Sequence, residues 1–395
     1  LLAPNDTTVA RAGRLSLDVG RLGVDGIAWQ ELAANGFIGA LELRLRDGDL
    51  TIVADELLRA ADIRLAVDRG RLDIAGTLDA NAPAGGRIAL AAGGDLVVDG
   101  SLHAAATARD EDGGSVELAS REGRITFGAD GDIDVRGRRA DGTASVDGLV
   151  RIVAPRGADN ASVAVDPLAG SVLGAGSIEV IANRVYAGIE RIDAVETAVA
   201  TQIGLDTLRA DNDAFALAAP GLVTTLDPGG ALGARLVVMP GIEIRSDAGR
   251  ALELATDWAL TDWRAGSAPG LLTLRAGGDL LLNGGLSDGL TRRDNLQALT
   301  NFSLDPADFG KVDMLLDGAS WSYRLVAGAD LDSATGGGAP AVAAADALAV
   351  RDDGEGDLRL ANNRRVRTGT GSIEIAAAGD VRYLGNGAAI YTMGR

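Results

Sequence analysis

The sequence predicts an all-β fold, a parallel β-helix or β-solenoid, on the strength of three observations. Hydrophobic residues make up 47% of the chain but aromatic residues only 3%, so the core must be built from small aliphatic side chains. The chain holds 55 glycines and 10 prolines, which indicates many tight turns without the composition of a disordered chain. The third observation is a recurring pattern of alternating residues and Gly-Asp corners.

This pattern is clearest in two stretches, RIALAAGGDLVVDGSL from Arg87 and LLTLRAGGDLLLNGGL from Leu271. Alternating apolar and polar residues place one face of a strand inward, and Gly-Asp corners supply the bend between strands. Each copy is therefore predicted to contain two short strands and a turn. Less regular copies begin at Leu41, Ile63, Val116, Ile242 and Ile373.

The spacing of the copies favours a solenoid. The first residues after three successive corners, Leu50, Leu72 and Leu96, lie 22 and 24 positions apart. Repeats of this length indicate solenoids or propellers, and a propeller blade needs roughly 40 residues. The fixed Leu and Asn frame of leucine-rich repeats is missing. We therefore expect successive turns of a β-helix, with inward Leu and Ile side chains stacked in ladders.

Two stretches depart from the pattern. Residues 189–219 have long gaps between glycines and apolar residues close to helical spacing, which predicts a helix near 195–217 packed on the solenoid. Residues 287–318 are more polar and contain Lys311, the only lysine, so we expect a lateral loop with a helical turn. A softer patch after Ala334 is typical of another lateral loop. The predicted parallel β-helix then covers 1–188, 220–286 and 319–395.

Charge and composition limit the partners. The net charge of −19 would repel a polyanion, so nucleic-acid binding is not expected. Cysteine is absent, which excludes disulfides and thiolate metal sites. No run of 18 apolar residues occurs, so the chain is not predicted to span a membrane. It begins at Leu1 without a leader and is expected to be an internal piece of a longer protein.

No catalytic, cofactor or metal residue is predicted. His103 is the only histidine and follows a strand without a GxSxG context, which favours a surface or turn role. Asp130, Asp132 and Asp134 do not fit the EF-hand frame, so they are interpreted as a solvated strand face, with adventitious calcium as the alternative.

Acidic residues at the corners are predicted to be structural. Asp95, Asp279 and Asp380 each follow glycine at a bend. An Asp side chain can accept hydrogen bonds from backbone amides two residues further on and so stabilise a tight turn. These residues therefore explain the repeat without a ligand.

The remaining candidates for ligand contact are aromatic. Trp258, Trp263, Trp321 and Tyr323 occur in the same part of the chain, and exposed rings could stack on sugars. Their alternation with leucines favours core or loop-anchoring roles for most of them. Trp263, at the bend before Arg264, is expected to be the most exposed member of a candidate interaction surface.

The carboxyl-terminal part resembles a known family. The runs PGIEIRSDAG, TDWALTDWRAGSAPGLLTLRAGGDLLLNGGLSDG, ASWSYRLVAGADL and RVRTGTGSIEIAAAGDVRYLGNGAAIYTMGR, within residues 240–395, are similar to large exoproteins of the filamentous haemagglutinin family. The resemblance implies a right-handed parallel β-helix, export through an outer-membrane two-partner secretion transporter, and a secreted bacterial cell-surface location. It also implies a role as a surface adhesin or filamentous exoprotein, for which a receptor or glycan on a host or neighbouring cell is the expected partner. The open β edges at the two ends of a solenoid further suggest end-to-end or lateral self-assembly.

Three function classes remain open from the sequence. The first is a rod-like structural or adhesive exoprotein segment without catalysis. The second is a β-helical polysaccharide lyase or hydrolase, because fold alone does not fix function. The third is a passive spacer that presents a distal effector or toxin.

Overall fold

The fold is mostly β. The computed structural model describes residues 12–23, 27–294, 311–334 and 349–394. Strands account for 44% and helices for 9%, which confirms the all-β class, and the sheets are parallel and solenoid-like. The chain divides into two compact units. Unit 1 comprises Leu1–Val185, Leu217–Glu243 and Asp330–Val350, and unit 2 comprises Tyr186–Ala216, Ile244–Ala329 and Arg351–Arg395.

In unit 1 the strands form three parallel sheets whose members recur in a fixed order along the chain. We call one strand from each sheet a repeat. The first sheet holds the longest strands, Arg14–Val19, Ala40–Leu45, Asp62–Val67, Arg87–Ala92, Ser115–Ser120, Gly148–Pro155, Ala175–Ala187 and Leu236–Arg245. The second sheet contains Leu50–Ile52, Leu72–Ile74, Leu96–Val98 and Ile125–Phe127. The third sheet contains Leu57–Arg59, Thr77–Asp79, Ser101–His103, Asp132–Asp134 and Ser171–Leu173.

The repeats of unit 1 stack in register, and this produces its core. In the second sheet Leu50 pairs with Leu72, Leu72 with Leu96, and Leu96 with Ile125. All four side chains are buried, because residues at alternate positions of a strand face the same side. The predicted ladder of aliphatic residues is therefore confirmed for these repeats.

Unit 1 also contains short elements outside the three sheets. Gly137–Arg138 and Ala144–Ser145 form an antiparallel hairpin. Trp29–Ala34 is a one-and-a-half-turn α-helix that buries Trp29, and Gly233–Arg235 is a 3-10 helix. These elements occupy connections between long strands.

Unit 2 follows the same three-sheet order. Its longest strands are Leu271–Ala276, Ser322–Ala327 and Ile373–Ala377. The second sheet contains Gln202–Gly204, Arg191–Asp193, Leu252–Leu254, Leu280–Leu282, Leu358–Leu360 and Val381–Tyr383 in spatial order. The third sheet contains Trp258–Ala259, Leu286–Ser287, Arg365–Thr368 and Ala389–Thr392.

The region predicted as a lateral loop contains a hairpin. Leu290–Asp294 and Lys311–Leu315 pair antiparallel, with Asp294 opposite Lys311. Residues 295–310, between the two strands, lie outside the described residues, as do residues 335–348 of the patch predicted after Ala334. The helical turn predicted for 287–318 is not among the elements described there.

The long helix lies further along the chain than predicted. It spans Leu205–Leu226 instead of 195–217, and it continues through Pro220. Val195 and Val199 are exposed and precede it, because Gln202–Gly204 is held extended by parallel pairing with Arg191–Asp193. The buried stripe continues past the proline at helical spacing through Leu208, Phe215, Ala219, Leu222 and Leu226.

Corner acids connect successive repeats. Just before four of the second-sheet strands, Leu50–Ile52, Leu96–Val98, Leu280–Leu282 and Leu358–Leu360, an Asp carboxylate accepts a hydrogen bond from the backbone N–H of the corresponding residue in the next repeat. The donors are 2.8–2.9 Å away in the pairs Asp49–Arg71, Asp95–Arg124, Asp279–Asp357 and Asp357–Asp380. The carbonyl of that same next-repeat residue accepts an N–H from the first residue of the strand, as between Leu96 and Arg124. The backbone N–H and the backbone C=O of that residue are thereby both hydrogen-bonded.

This arrangement differs from the predicted one. The amide bound by Asp95 or Asp279 belongs to the next repeat and not to a residue two positions further on. The reason is that parallel stacking directs corner amides toward the neighbouring repeat. Asp380 donates its own N–H to Asp357, and its carboxylate pairs with Arg382 at 2.8 Å.

Candidate functional site

The aromatic residues singled out from the sequence are core residues of unit 2. Trp258 is 1% exposed, and Trp321 and Tyr323 are fully buried. Trp263 is the most exposed of the four at 6%, but it is still buried, so the expectation that it would be exposed is wrong. These four side chains do not form a surface on which a sugar could stack.

Tertiary contacts explain the burial of Trp263. Its ring meets that of Trp258 edge-on, with centroids 5.3 Å apart and planes at 62°. Its carbonyl accepts the indole N–H of Trp321 at 2.9 Å. The guanidinium of Arg209, on the long helix, lies 5.5 Å from the ring centroid in cation–π geometry. Trp263, at a predicted bend, is thus covered by Trp258, Trp321 and Arg209. We call the cluster of Trp258, Trp263, Trp321 and Tyr323 the aromatic corner.

Arg264 anchors the aromatic corner. One guanidinium nitrogen lies 3.0 and 2.9 Å from the two carboxylate oxygens of Asp288, which is completely buried. The same carboxylate accepts the backbone N–H of Trp321 at 2.7 Å. Burial, followed by the charge of Asp288, holds the pKa of the Tyr323 hydroxyl well above its ordinary value, so this group stays neutral. These residues therefore stabilise the fold and do not present a free charge.

A cleft of about 440 Å³ lies on the outer side of the third sheet of unit 2. Its walls carry three arginines, Arg364, Arg365 and Arg367, and one carboxylate, Asp257. Its other lining residues are Trp258, Ala259, Gly285, Ser287, Asn363 and Gly387. We call this the arginine cleft.

Strand alternation produces the arginine cleft. Within Arg365–Thr368, Val366 and Thr368 are fully buried, whereas Arg365 and Arg367 lie on the other face. In register, Arg367 stands between Ser287 of the preceding repeat and Tyr391 of the following one. The strand Arg365–Thr368 thus has buried side chains on one side and cationic side chains on the other.

Hydrogen bonds hold Arg367 and Arg364 within the cleft. Arg367 donates to the Ser287 hydroxyl at 3.0 Å and to the Tyr391 hydroxyl at 3.2 Å. Arg364 donates to one oxygen of Asp257 at 3.0 Å, and both of these side chains are substantially exposed. Arg367 is therefore held in place, while Arg364 is in an exposed pair of the kind that contributes little to stability.

Sequence reasoning missed the arginine cleft although a signal was present. The run Arg-Arg-Val-Arg at positions 364–367 puts three cations within four residues of a chain with a net charge of −19. The net charge of the whole chain does not reveal such a local cluster of positive charge. Only the register shows that the small residues Ala259, Gly285 and Ser287 lie beside these arginines and leave room for the cleft.

A second charged cluster, in unit 1, is occupied by the protein's own groups. Arg44 donates to Asp68 at 2.8 Å and to Asp330 at 2.6 Å, and Arg69 pairs with Asp332 at 2.6 Å. The backbone N–H of Ala334 donates to Asp68 at 2.9 Å. This network fastens the segment from 330 to 334, which accounts for its buried charges structurally.

His103 lies next to a carboxylate and a hydroxyl, but in the wrong order for a nucleophilic triad. Its Nε2 is 3.1 Å from one oxygen of Asp132, and the Ser171 hydroxyl donates to the other oxygen at 2.5 Å. The carboxylate thus lies between the serine and the histidine, whereas a triad needs the imidazole between them.

Two of the three acids considered for calcium have other partners. Asp132 contacts His103 and Ser171, and Asp134 accepts hydrogen bonds from Arg136 at 2.9 and 2.5 Å. Burial opposes ionisation of Asp134, but the bonds from Arg136 prevail and lower its pKa below the ordinary value. Within the described ranges, no three His, Cys, Asp or Glu side chains are grouped so as to hold a metal ion.

Comparisons with known proteins add no assignment. No family model, curated protein or solved structure matches this chain. Among the described residues no helix is both long and apolar enough to cross a membrane. Function must therefore be inferred from the repeats and from the arginine cleft.

Proposed function

We propose that this chain is a non-catalytic, rod-like segment of a secreted cell-surface exoprotein, an adhesin or a filament-forming structural protein. We further propose that its sheets close into a right-handed parallel β-helix. The observation that carries this proposal is the in-register column Leu50, Leu72, Leu96 and Ile125. A chain that repeats one structural unit along one direction is suited to support and display.

The chemistry of the repeats supports a structural role. Backbone bonds and corner carboxylates join each repeat to its neighbours, so stability grows by adding repeats and not by enlarging one core. The exposed faces are then free to vary. Such a scaffold can present contact surfaces without a catalytic pocket.

A non-catalytic role is consistent with the surroundings of His103. Asp132 lies between its imidazole and Ser171, so the imidazole is not positioned to take the proton of that hydroxyl as it would in a nucleophilic triad. The second function class, a polysaccharide lyase or hydrolase, would require acidic groups free to act near a bound sugar. The one carboxylate of the arginine cleft, Asp257, is paired with Arg364.

Export and location are proposed from the resemblance over residues 240–395. On this proposal an outer-membrane two-partner secretion transporter carries the chain to the bacterial surface. A receptor or glycan on a host or neighbouring cell would be its target, and end-to-end or lateral contacts between copies would build filaments. The complete lack of cysteine is compatible with this route.

A glycan array probed with the purified, labelled chain tests the proposal, together with electron microscopy of negatively stained particles. An adhesin should bind a defined set of glycans, and a filament protein should form extended assemblies. A chain that binds no glycan and remains single would support the passive-spacer class. Release of reducing ends or unsaturated products from polyuronides would contradict the proposal and identify an enzyme.

A further inference from the structure

We propose that the arginine cleft of unit 2 is a binding site for a small ligand that carries an oxyanion, either a carboxylate, a phosphate or a sulfate. The ligand body would be neutral and no larger than a monosaccharide. This site is independent of any adhesive or filament role of the chain.

Local charge is the first argument. Among the residues that the structure describes, Arg364, Arg365 and Arg367 line one cleft with a single carboxylate, Asp257, in a chain whose net charge is −19. The planar guanidinium group offers paired N–H donors that match the oxygens of a carboxylate, phosphate or sulfate. An anion that approaches this protein would be stabilised by these arginines, whereas the negative net charge of the chain would repel it.

Preorganisation is the second argument. Arg367 is held between two repeats by the hydroxyls of Ser287 and Tyr391, so its position is set before a ligand arrives. A fixed donor does not lose side-chain freedom on binding, which favours affinity.

Shape is the third argument. The cleft volume of about 440 Å³ is in the range of small-molecule sites. Ala259, Gly285 and Gly387 leave space beside the arginines, and the Ser287 hydroxyl and Asn363 amide can bond to hydroxyl groups of the ligand body.

Asp257 and the arginines are expected to have opposite effects on anion binding. Its carboxylate already accepts a hydrogen bond from Arg364 at 3.0 Å and from the backbone N–H of Gly285 at 2.7 Å. A ligand oxyanion would compete with Asp257 for Arg364. Neutralising Asp257 should therefore strengthen anion binding, whereas removing an arginine should weaken it.

Isothermal titration calorimetry of the full chain at low ionic strength tests this inference with inorganic phosphate, inorganic sulfate and D-glucuronate, and with D-glucose as the neutral probe. We expect saturable binding of at least one anion at a single site and none of D-glucose. Tighter binding of D-glucuronate would indicate a sugar acid, and tighter binding of an inorganic anion would indicate a phosphate or sulfate group.

Four variants locate the site. Arg365→Gln and Arg364→Gln should each weaken anion binding about tenfold, the equivalent of one hydrogen bond to a charged group. Asp257→Asn should tighten it about threefold. The matched control Arg382→Gln removes the same charge from the neighbouring second sheet and should leave binding within about twofold of the parent chain. Far-ultraviolet circular dichroism checks that each variant is folded.

Several results would overturn the inference. These are no saturable binding of any of the three anions, equal binding of D-glucose, or an Arg382→Gln effect as large as that of Arg365→Gln. Weaker binding by Asp257→Asn would also contradict it, because the cleft would then act through that carboxylate.

Discussion

At the residue scale, the corner glycines are explained by close approach between repeats. A Cβ atom on Gly93 would overlap the carbonyl oxygen of Asp68 in the preceding repeat, and one on Gly277 would overlap that of Asp247. The aspartate two residues after each glycine then bonds to the following repeat. The Gly-Gly-Asp corner thus contacts both neighbours, which is why it recurs in both units.

Gly93→Ala should lower the free energy of unfolding by about 1–3 kcal/mol, because the added methyl group meets backbone that cannot move aside. Urea denaturation followed by circular dichroism measures the change. Gly221→Ala is the control, since a Cβ there meets nothing within 4 Å and the residue is exposed in a helix. It should leave stability unchanged or raise it by about 0.5–1 kcal/mol. Equal losses for both substitutions would refute the close-approach account.

The carboxylate of Asp357 should contribute to acid sensitivity. The backbone N–H of Asp380, followed by Arg359 and Arg382, lowers the pKa of Asp357 below its ordinary value of 3.8. A depressed folded-state pKa gives stability that is present above the unfolded value and is lost as the pH falls through the folded value. Asp357→Asn, which keeps an acceptor but cannot ionise, should therefore be less stable than the parent chain at neutral pH.

The urea midpoints of both proteins at pH 7 and pH 3 measure this effect. The difference between them should be largest at pH 7 and should shrink at pH 3, because protonation of the unfolded parent chain below its ordinary pKa of 3.8 reduces the stability that the ionised carboxylate contributes. A difference independent of pH would show that the charge of Asp357 has no role in the corner.

Single residues in the aromatic corner show the limit of sequence reasoning. Alternation correctly favoured core roles for Trp258, Trp321 and Tyr323, which are all buried. Tyr323 does share a strand face with Leu325, whereas Trp258 lies on a different strand from the leucines with which it alternates in sequence. Trp263 belongs to no strand, and its burial depends on Trp258, Trp321 and Arg209, which are distant in sequence or on another element. No local pattern contains that information.

At the element scale, strands were easier to predict than the helix. Alternation over three to six residues located strands such as Leu72–Ile74 and Leu96–Val98. The helix begins later than the predicted residue 195, because Gln202–Gly204 is held extended by pairing with Arg191–Asp193. Pro220 is exposed inside the helix, and the buried stripe continues beyond it through Leu222 and Leu226.

The helix stripe can be tested by paired substitutions. Leu208 is fully buried and Leu217 is 87% exposed on the same helix. Leu208→Ala should lower the free energy of unfolding by about 2–5 kcal/mol through lost burial and a cavity. Leu217→Ala, which deletes the same atoms, should change it by less than about 0.5 kcal/mol. Urea denaturation gives both values, and similar losses would mean that the helix presents a different face to the core.

At the scale of the whole molecule, the repeat spacing was the most informative feature of the sequence. Periods of 22 and 24 residues are too short for propeller blades, and the structure pairs the residues that define them. The division into two units has no counterpart in the sequence, because both units show the same pattern of alternating residues and Gly-Asp corners. The arginine cleft also emerges only when repeats 24 to 80 residues apart in sequence are brought side by side, as Tyr391, Arg367 and Ser287 are.

Engineered disulfides test most directly whether neighbouring repeats stack in register. The chain has no cysteine, and Thr51 pairs with Asp73, which pairs in turn with Val97. Adjacent strands are about 4.8 Å apart, within reach of a disulfide, whereas strands two repeats apart are beyond it. After mild oxidation of the monomer, the double variant Thr51→Cys with Asp73→Cys should lose both free thiols, and Thr51→Cys with Val97→Cys should keep them. Retained thiols in the first variant, or equal loss in both, would contradict the stacked-repeat fold.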